Sequence, residues 1–427
     1  MPGLAVTDAI GEWWVYPVAT QIAPDKSVFG AISSTGEVLA CEMEHTRMTS
    51  KRVVVGMIQV DDHNVPALHA SNPGRRMLMA WTRHGVDNVI RFKVSDTAQT
   101  VESLATAPLV NYECPETVSY AQIYRVDALS DGVQDTFWVF SRVTLATWRC
   151  LVVSVNQTTG ALTFGPITTL LTADGQTYIH AAESHGGVLR VAWSFNPAAP
   201  YHAIRYFEID MSTGAITSPV VPTLAANLNT GIGLPLHDTA VPPVIPEPAA
   251  GDSRIMFYTR PGPYKRGIAY ADYSNADPDN ATYKITTIED GGVTSTRAYG
   301  ISGPRFGYVA SSNYLPGMAF PDPCEVDEVV IARKTGAVST VERAMWDGTN
   351  VVTTMLGQSY ASRLARPMLP VGQSTRVLCS DIIWYNPTSF FDYHAGVRDV
   401  TSTDDHVHAP TGFTQVIGGV STPTHFA

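Results

Sequence analysis

Seven apolar runs rich in β-branched and aromatic residues recur along the chain, spaced by roughly fifty to seventy residues, and this repetition limits the fold more than any other feature. They are Val28 to Ile32, Met77 to Thr82, Phe137 to Ser141, Val188 to Ser194, Arg254 to Thr259, Glu328 to Ala332 and Arg376 to Trp384. Most are followed, after a short polar turn, by a strand of alternating character: Ile90 to Val94, Trp148 to Val153, Ala203 to Ile209 and Gly267 to Ala271. Alternation with a period of two marks hairpins with one buried face, and no stretch keeps a helical period over three turns. Seven such units without helices predict an all-β fold, a seven-bladed β-propeller, whose radial packing leaves only short protected sheet edges. A pair of β-sandwich domains is the alternative, with the Pro-rich stretch 241–248 as its linker; in a propeller the same stretch is a loop between blades. The ring closes on a strand from Val407 to Ala427 or from the first strand near Trp13 to Thr20.

The composition fits one body spanning residues 1–427. With 44% hydrophobic and 16% charged residues the chain buries a large core. A net charge of -11, with no cluster of Lys and Arg, argues against a nucleic-acid partner. The apolar stretches are short and interrupted by polar residues, so no membrane span is expected. Five scattered cysteines without metal-ligand spacing read as reduced core residues. The first residues carry no basic region or long apolar run, so no secretory signal is read there; residues 1–12 are a candidate attachment segment.

Two turns support the repeat. Asn156 to Gly160 and Asp210 to Gly214 each set an Asx side chain four positions before a glycine that can take positive φ. They look like degenerate Asp-box turns, which lie on outer strands of sialidase-type blades.

The segment Asp61-Asp62-His63-Asn64 precedes the Met77 to Thr82 run, and Arg83-His84-Gly85 follows it, so two histidines flank one hairpin-sized unit. Histidine titrates near neutral pH, which suits it to acid and base work. The plainer reading makes His63 a turn residue, His84 a strand cap and Tyr120 a packed aromatic. Taken together, Val60 to Leu68, Arg76 to His84, and Thr117 to Tyr124 leading to Trp138 to Arg142 resemble the BNR-repeat propellers that include the ulvan lyases. The similarity is clearest over residues 13 to 210. It implies an active centre of His63, His84, Tyr120 and Arg142, with Asn64 beside it as a ligand contact. The interval from Tyr120 to Arg142 departs from the pattern, lengthened by the acidic loop around Asp127 to Asp135.

The chemistry explains those residue types. β-Elimination across a uronic acid removes a weakly acidic proton beside a carboxylate, which must first be neutralised. Arg142 suits that role by its planar fork of donors, with His63 as a further donor. His84 or Tyr120 takes the proton and Tyr120 can return one to the leaving oxygen; the sequence does not divide base from acid.

Further ligand contacts are expected at the channel mouth from Tyr178 and His180, with His185, in the third blade and from His237-Asp238 opening the fourth. Arg83, Arg142, Arg260 and Arg333 end strands in equivalent positions, and several could meet at one rim to grip carboxylates. A sialidase is the weaker version, because its arginine-containing opening motif is not evident. Zinc chelation by His63, His84, His180 and His185 lacks a paired-ligand motif, so no metal and no cofactor is assigned. A saccharide-directed propeller without an export signal suggests a phage tail protein, made in the cytoplasm and carried in the virion, or secretion by a non-classical route. Its partners are then an acidic or cell-envelope polysaccharide and other virion tail proteins. Three readings stand: a tail protein that recognises a host glycan, a polysaccharide lyase, and a structural decoration protein without ligand.

Overall fold

The computed structural model describes residues 5–11, 16–70, 74–184, 187–195, 203–249, 251–256, 266–274, 276–304, 315–320, 327–360, 362–371, 376–385, 393–400, 415–417 and 420–422. Its alternating segments pair as antiparallel sheets, and Val101–Thr106 is the one α-helix among these residues. None of the helices described is long and apolar enough to cross a membrane.

Seven sheets follow one another as the blades of a β-propeller. Blade one is Ala19–Ala23, Lys26–Ile32, Glu37–Glu44 and Thr49–Met57; blade two is Ala67–Ala70, Met77–Trp81, Val89–Val94 and Val110–Glu113. Blade three is Val118–Arg125, Gln134–Val143, Thr147–Asn156 and Leu162–Thr172, and blade four runs from Thr177–Glu183 to Val221–Asn227. Blades five, six and seven begin at Asp252–Met256, Met318–Ala319 and Arg363–Met368. Six of the seven apolar runs lie on the second strand of a blade. That strand is covered on both sides by neighbouring blades, so Met77–Trp81 is buried throughout and reads as continuously apolar. Third strands such as Thr147–Asn156 keep more of the alternation. The fifth run is an exception: Arg254 to Met256 fall on the first strand of blade five, and Arg266–Ser274 is the second.

Ring closure differs from expectation. The closing strand is Ala5–Thr7, which pairs with Tyr393–Asp399 at the outer edge of blade seven. Three residues are too few to show a period in sequence. Ala19 and Thr20 belong instead to blade one, Trp13 lies outside the described residues, and Gln415–Ile417 pairs with Val420–Thr422. A buried chain of hydrogen bonds also joins the first and last blades. Ser27 Oγ lies 2.8 Å from His45 Nε2, and His45 Nδ1 lies 2.6 Å from Asp399 Oδ2.

Both Asx turns form between third and fourth strands, as the repeat requires. Asn156 Oδ1 accepts from the backbone of Thr158 and Thr159, Asp210 Oδ1 from that of Ser212 and Thr213, and Gly160 and Gly214 take φ of 76° and 75°. The Pro-rich stretch lies between blades four and five, where Val244 and Ile245 bond the backbone of Ile204. Cys41, Cys114, Cys150 and Cys379 are buried free thiols.

Candidate active site

The loop from blade one to blade two makes a 3₁₀ turn at Asp62–Asn64, capped by Asp61, whose Oδ1 accepts from the His63 backbone N–H at 2.9 Å. Asn64 steadies the turn by donating from Nδ2 to the Gln59 carbonyl at 3.0 Å. The loop passes so close to blade one that a β-carbon on Gly30 would lie 2.0 Å from the Pro66 oxygen. His84 follows the second strand of blade two. Tyr120 sits on the first strand of blade three at a break in register between Ser119 and Gln122, with φ of 57°. Such a left-handed tyrosine costs on the order of 1–2 kcal/mol, and the bulge re-aims its side chain. Arg142 is the cross-strand partner of Ser119.

These four residues converge. The rings of His63 and His84 stack with centroids 4.4 Å apart and planes at 15°. His84 Nε2 lies 3.1 Å from the Tyr120 hydroxyl, and the Arg142 guanidinium carbon stands 4.5 Å above the Tyr120 ring. Tyr178 lies next to Tyr120 against Arg142, its ring centroid 5.1 Å from the guanidinium carbon and 5.8 Å from that of Tyr120. Arg142 is only 2% exposed, and its Nε and Nη1 meet no hydrogen-bond acceptor among the described residues.

The electrostatics separate the two histidines. For His63, burial opposes charge, but the carboxylates of Asp62 and Asp61 outweigh it, and its pKa rises well above 6.5. Nδ1 lies 2.7 Å from Asp61 and 2.9 Å from Asp62. For His84, burial and the neighbouring His63 charge, with Arg142 adding to them, outweigh the pull of Asp61 and lower its pKa. Burial pushes the Asp61 carboxyl up, but the His63 charge and the hydrogen bonds from both rings hold it below its usual range. The site therefore holds an imidazolium, a neutral imidazole, a phenol and a guanidinium within one shell. Environments that drive paired groups apart in this way sort them into acid and base roles.

Other expected contacts fare differently. Tyr178 joins the site, but on blade four rather than three. His180 is also on blade four; it is buried and its pKa is depressed to about 3 by loss of water, which makes it a neutral interior side chain. His237 does not open a blade. Leu236–His237 adds a short parallel strand to the outer edge of blade three, where His237 is partly exposed beside Asp238 and Asp174. Among the described residues, Arg83 and Arg333 do not join Arg142 at a shared rim. Arg83 contacts Gln59 and Asp87, and Arg333 forks onto Glu342 of its own blade at 2.9 and 2.7 Å, so each is satisfied locally. Arg260 and His185 lie outside the described residues.

Two groups of side chains bring ligand atoms within 4.8 Å of one another: Asp61, His63 and His84, and Asp174, His237 and Asp238. In the first, the Nδ1 atoms of both histidines are engaged with Asp61, which fits a proton-sharing cluster better than an open ligand set. Of the four histidines weighed as zinc ligands and set aside on sequence grounds, His63 and His84 share that group, His180 stands outside it, and His185 lies outside the described residues.

Sequence reasoning assigned no role to Asp61, Asp62 or Arg366. Arg366 comes from the first strand of blade seven, at a second break in register and with φ of 53°. It is 1% exposed, donates from Nη1 to the Gly11 carbonyl at 3.0 Å, and pairs through Nη2 with Asp62 Oδ2 at 2.5 Å. Asp61 had a visible signal, an Asx residue two positions before the histidine. Arg366 had none, because 304 residues separate it from Asp62.

The chain matches no protein-family profile and no curated protein. Among solved structures it is similar to an ulvan lyase of polysaccharide lyase family PL25, with a TM-score of 0.62 and 9% identity over 93% of this chain and 94% of that one. The same figures hold for the PL25 ulvan lyase bound to -[GlcA(1-4)Rha3S]-. The polysaccharide lyase Uly1 is similar with a TM-score of 0.53 and 9% identity over 93% of this chain and 98% of that one. At this identity the likeness establishes the propeller fold.

Proposed function

We propose that the chain is a polysaccharide lyase that cleaves a uronic-acid-containing glycan by β-elimination. One observation carries this reading: the buried Arg142 guanidinium, whose Nε and Nη1 meet no acceptor among the described residues, stands beside a His–Tyr pair joined by a 3.1 Å hydrogen bond. A buried cation without a counter-ion is costly, and the faces of Tyr120 and Tyr178 offset only part of that cost. A substrate carboxylate between the free N–H groups of Arg142 supplies the missing charge. It is thereby neutralised, which is what makes its α-proton removable.

His84, neutral and with Nε2 beside the Tyr120 hydroxyl, takes the proton from C5. The C4–C5 double bond forms as the C4–O bond breaks, and Tyr120 gives its phenolic proton to the departing oxygen. The proton on His84 then returns to Tyr120 across their hydrogen bond, which restores the site. His63, held as imidazolium, adds positive charge beside the carboxylate. The PL25 relative is bound to a chain containing glucuronic acid, which supports this substrate class.

Recognition of a host glycan without cleavage uses the same Arg142 subsite but leaves the His84–Tyr120 pair without a task. The chemistry is the same whether the chain works in a virion tail or outside a cell. Incubation with uronate polymers, followed by the absorbance of the unsaturated product, tests the proposal; binding without any new absorbance, over a broad panel, replaces it with the recognition reading.

A further inference from the structure

A single carboxylate serves both histidines. Asp61 Oδ1 is 2.7 Å from His63 Nδ1, and Asp61 Oδ2 is 3.0 Å from His84 Nδ1. Asp61 is 1% exposed, so neither oxygen has water as an easy substitute partner. An ionised carboxylate only accepts hydrogen bonds, so each ring must present Nδ1–H to it. With Nδ1 protonated, a neutral His84 carries its lone pair on Nε2, which is the atom beside the Tyr120 hydroxyl.

We propose that Asp61 is a positioning residue that fixes the proton arrangement of both histidines at once, holding Nδ1–H of each so that His84 Nε2 is left as the unprotonated nitrogen. Its catalytic meaning rests on the elimination proposed above; the tautomers themselves do not. Asp61 takes no part in bond making, and the stacked geometry at 4.4 Å follows from two rings hanging from one carboxylate.

The surroundings make this bridge the element that decides. His63 is faced by Asp61 and Asp62 from its own turn, by His84 from blade two and by Tyr120 from blade three, with Arg366 of blade seven behind Asp62. His84 is faced by Asp61, His63, Tyr120 and the Arg142 charge. Asp62 contacts the His63 ring through Nδ1 and has Arg366 as its own counter-ion. Asp61 touches both rings, one with each oxygen.

An amide in place of this carboxylate has one accepting and one donating end. Asp61→Asn can accept from one Nδ1–H but must turn an N–H toward the other ring, which drives that ring to the Nε2–H form. The variant also withdraws a negative charge from His63, so the alkaline limb of the pH–rate profile moves to lower pH by roughly one unit or more. Turnover falls roughly 100-fold or more, as when an orienting carboxylate behind a histidine is neutralised, with KM little changed because Arg142 is untouched.

The test is long-range proton–nitrogen NMR of the full chain labelled with ¹⁵N-histidine, the signals assigned with His63→Gln and His84→Gln. In the natural protein near neutral pH, His84 shows one proton, on Nδ1, and His63 shows two. In Asp61→Asn at least one of the rings changes form. A natural protein with the His84 proton on Nε2 overturns the proposal, as does an Asp61→Asn variant in which both rings keep their forms. If Asp61→Asn fails to fold, the natural protein's spectrum still decides. Because the spectrum needs no turnover, a chain that cleaves no polymer but shows these tautomers leaves Asp61 in its role and removes the lyase reading; the converse result does the opposite.

Discussion

His84 Nε2 and the phenol oxygen of Tyr120 meet at 3.1 Å across the boundary between blade two and blade three. His84 already spends Nδ1–H on Asp61, so the phenol is the donor in this contact. Tyr120→Phe keeps the ring beneath Arg142 but removes the acid. Turnover should drop by roughly 100- to 10,000-fold, the range for loss of a general acid. Thermal melting should shift little, since only one hydroxyl is lost. Appreciable cleavage by the Tyr120→Phe variant would falsify the assignment.

Arg142 should show stability and function in opposition. Its guanidinium is buried without a counter-ion among the described residues, so exchange for an uncharged side chain of similar length relieves the empty site. Arg142→Met is expected to raise the unfolding free energy by about 1–3 kcal/mol. The same variant should weaken binding of uronate polymers by roughly 10- to 100-fold, the loss of charge-assisted hydrogen bonds to a carboxylate. Denaturant titration and calorimetric binding on one preparation read both effects. A variant that is destabilised and binds normally would show that the guanidinium is structural.

The pH dependence follows from the opposite shifts of the two histidines. His84 has to be neutral to act, and its pKa lies below the ordinary 6.5, so activity persists somewhat below that pH and is lost as pH falls further. His63 acts as a cation with a pKa well above 6.5, so the alkaline limb lies on the far side of neutrality. The linked stability has a definite sign. The raised pKa of His63 gives a contribution that is complete below its unfolded value and is lost as pH rises through the folded one. Rates of polymer cleavage and melting temperatures across the same buffers check both statements. An acid limb above 6.5 would remove His84 as the base.

Much of this fold was legible because the second strand of each blade is enclosed by neighbours, so Met77 to Trp81 stands out as an unbroken apolar run and Val188 to Phe195 as a mostly apolar one. Blade five was misread by one strand because Arg266–Ser274 mixes small and polar residues with its aromatics. The closing strand Ala5–Thr7 is too short for any period. In the site, the resemblance to the ulvan lyases pointed to His63, His84, Tyr120 and Arg142, and the fold brings these side chains together because consecutive blades supply them within one stretch of chain. Arg366 became a neighbour of Asp62 only through closure of the ring, which no local pattern encodes.

Closure itself is open to test. Ser27, His45 and Asp399 are each no more than 2% exposed and tie blade one to blade seven. Asp399→Ala leaves His45 Nδ1 without its carboxylate in a dry interior, a change that costs about 3–5 kcal/mol. Urea unfolding should show that loss. Because Arg366 reaches the site from blade seven, the variant should also unfold the pocket with the ring rather than after it, so tryptophan fluorescence and ligand binding should be lost together. A separate, earlier loss of blade seven would contradict this coupling.

Substrate configuration provides the sharpest chemical test of the His84–Tyr120 pair. Two groups 3.1 Å apart act from one side of the sugar, so the C5 proton and the C4 oxygen must leave from the same face. In glucuronate the C5 hydrogen and the C4 oxygen lie on one face; in galacturonate and iduronate they lie on opposite faces. A polymer of 4-linked glucuronate should therefore be cleaved, while polygalacturonate and iduronate-rich chains should bind at Arg142 without reacting. Product absorbance separates cleavage from binding, and a competition assay with the unreactive chains confirms that they occupy the site. Equal cleavage of glucuronate and galacturonate polymers would mean that the C5 proton is also taken from the face opposite Tyr120, and would require a base besides His84.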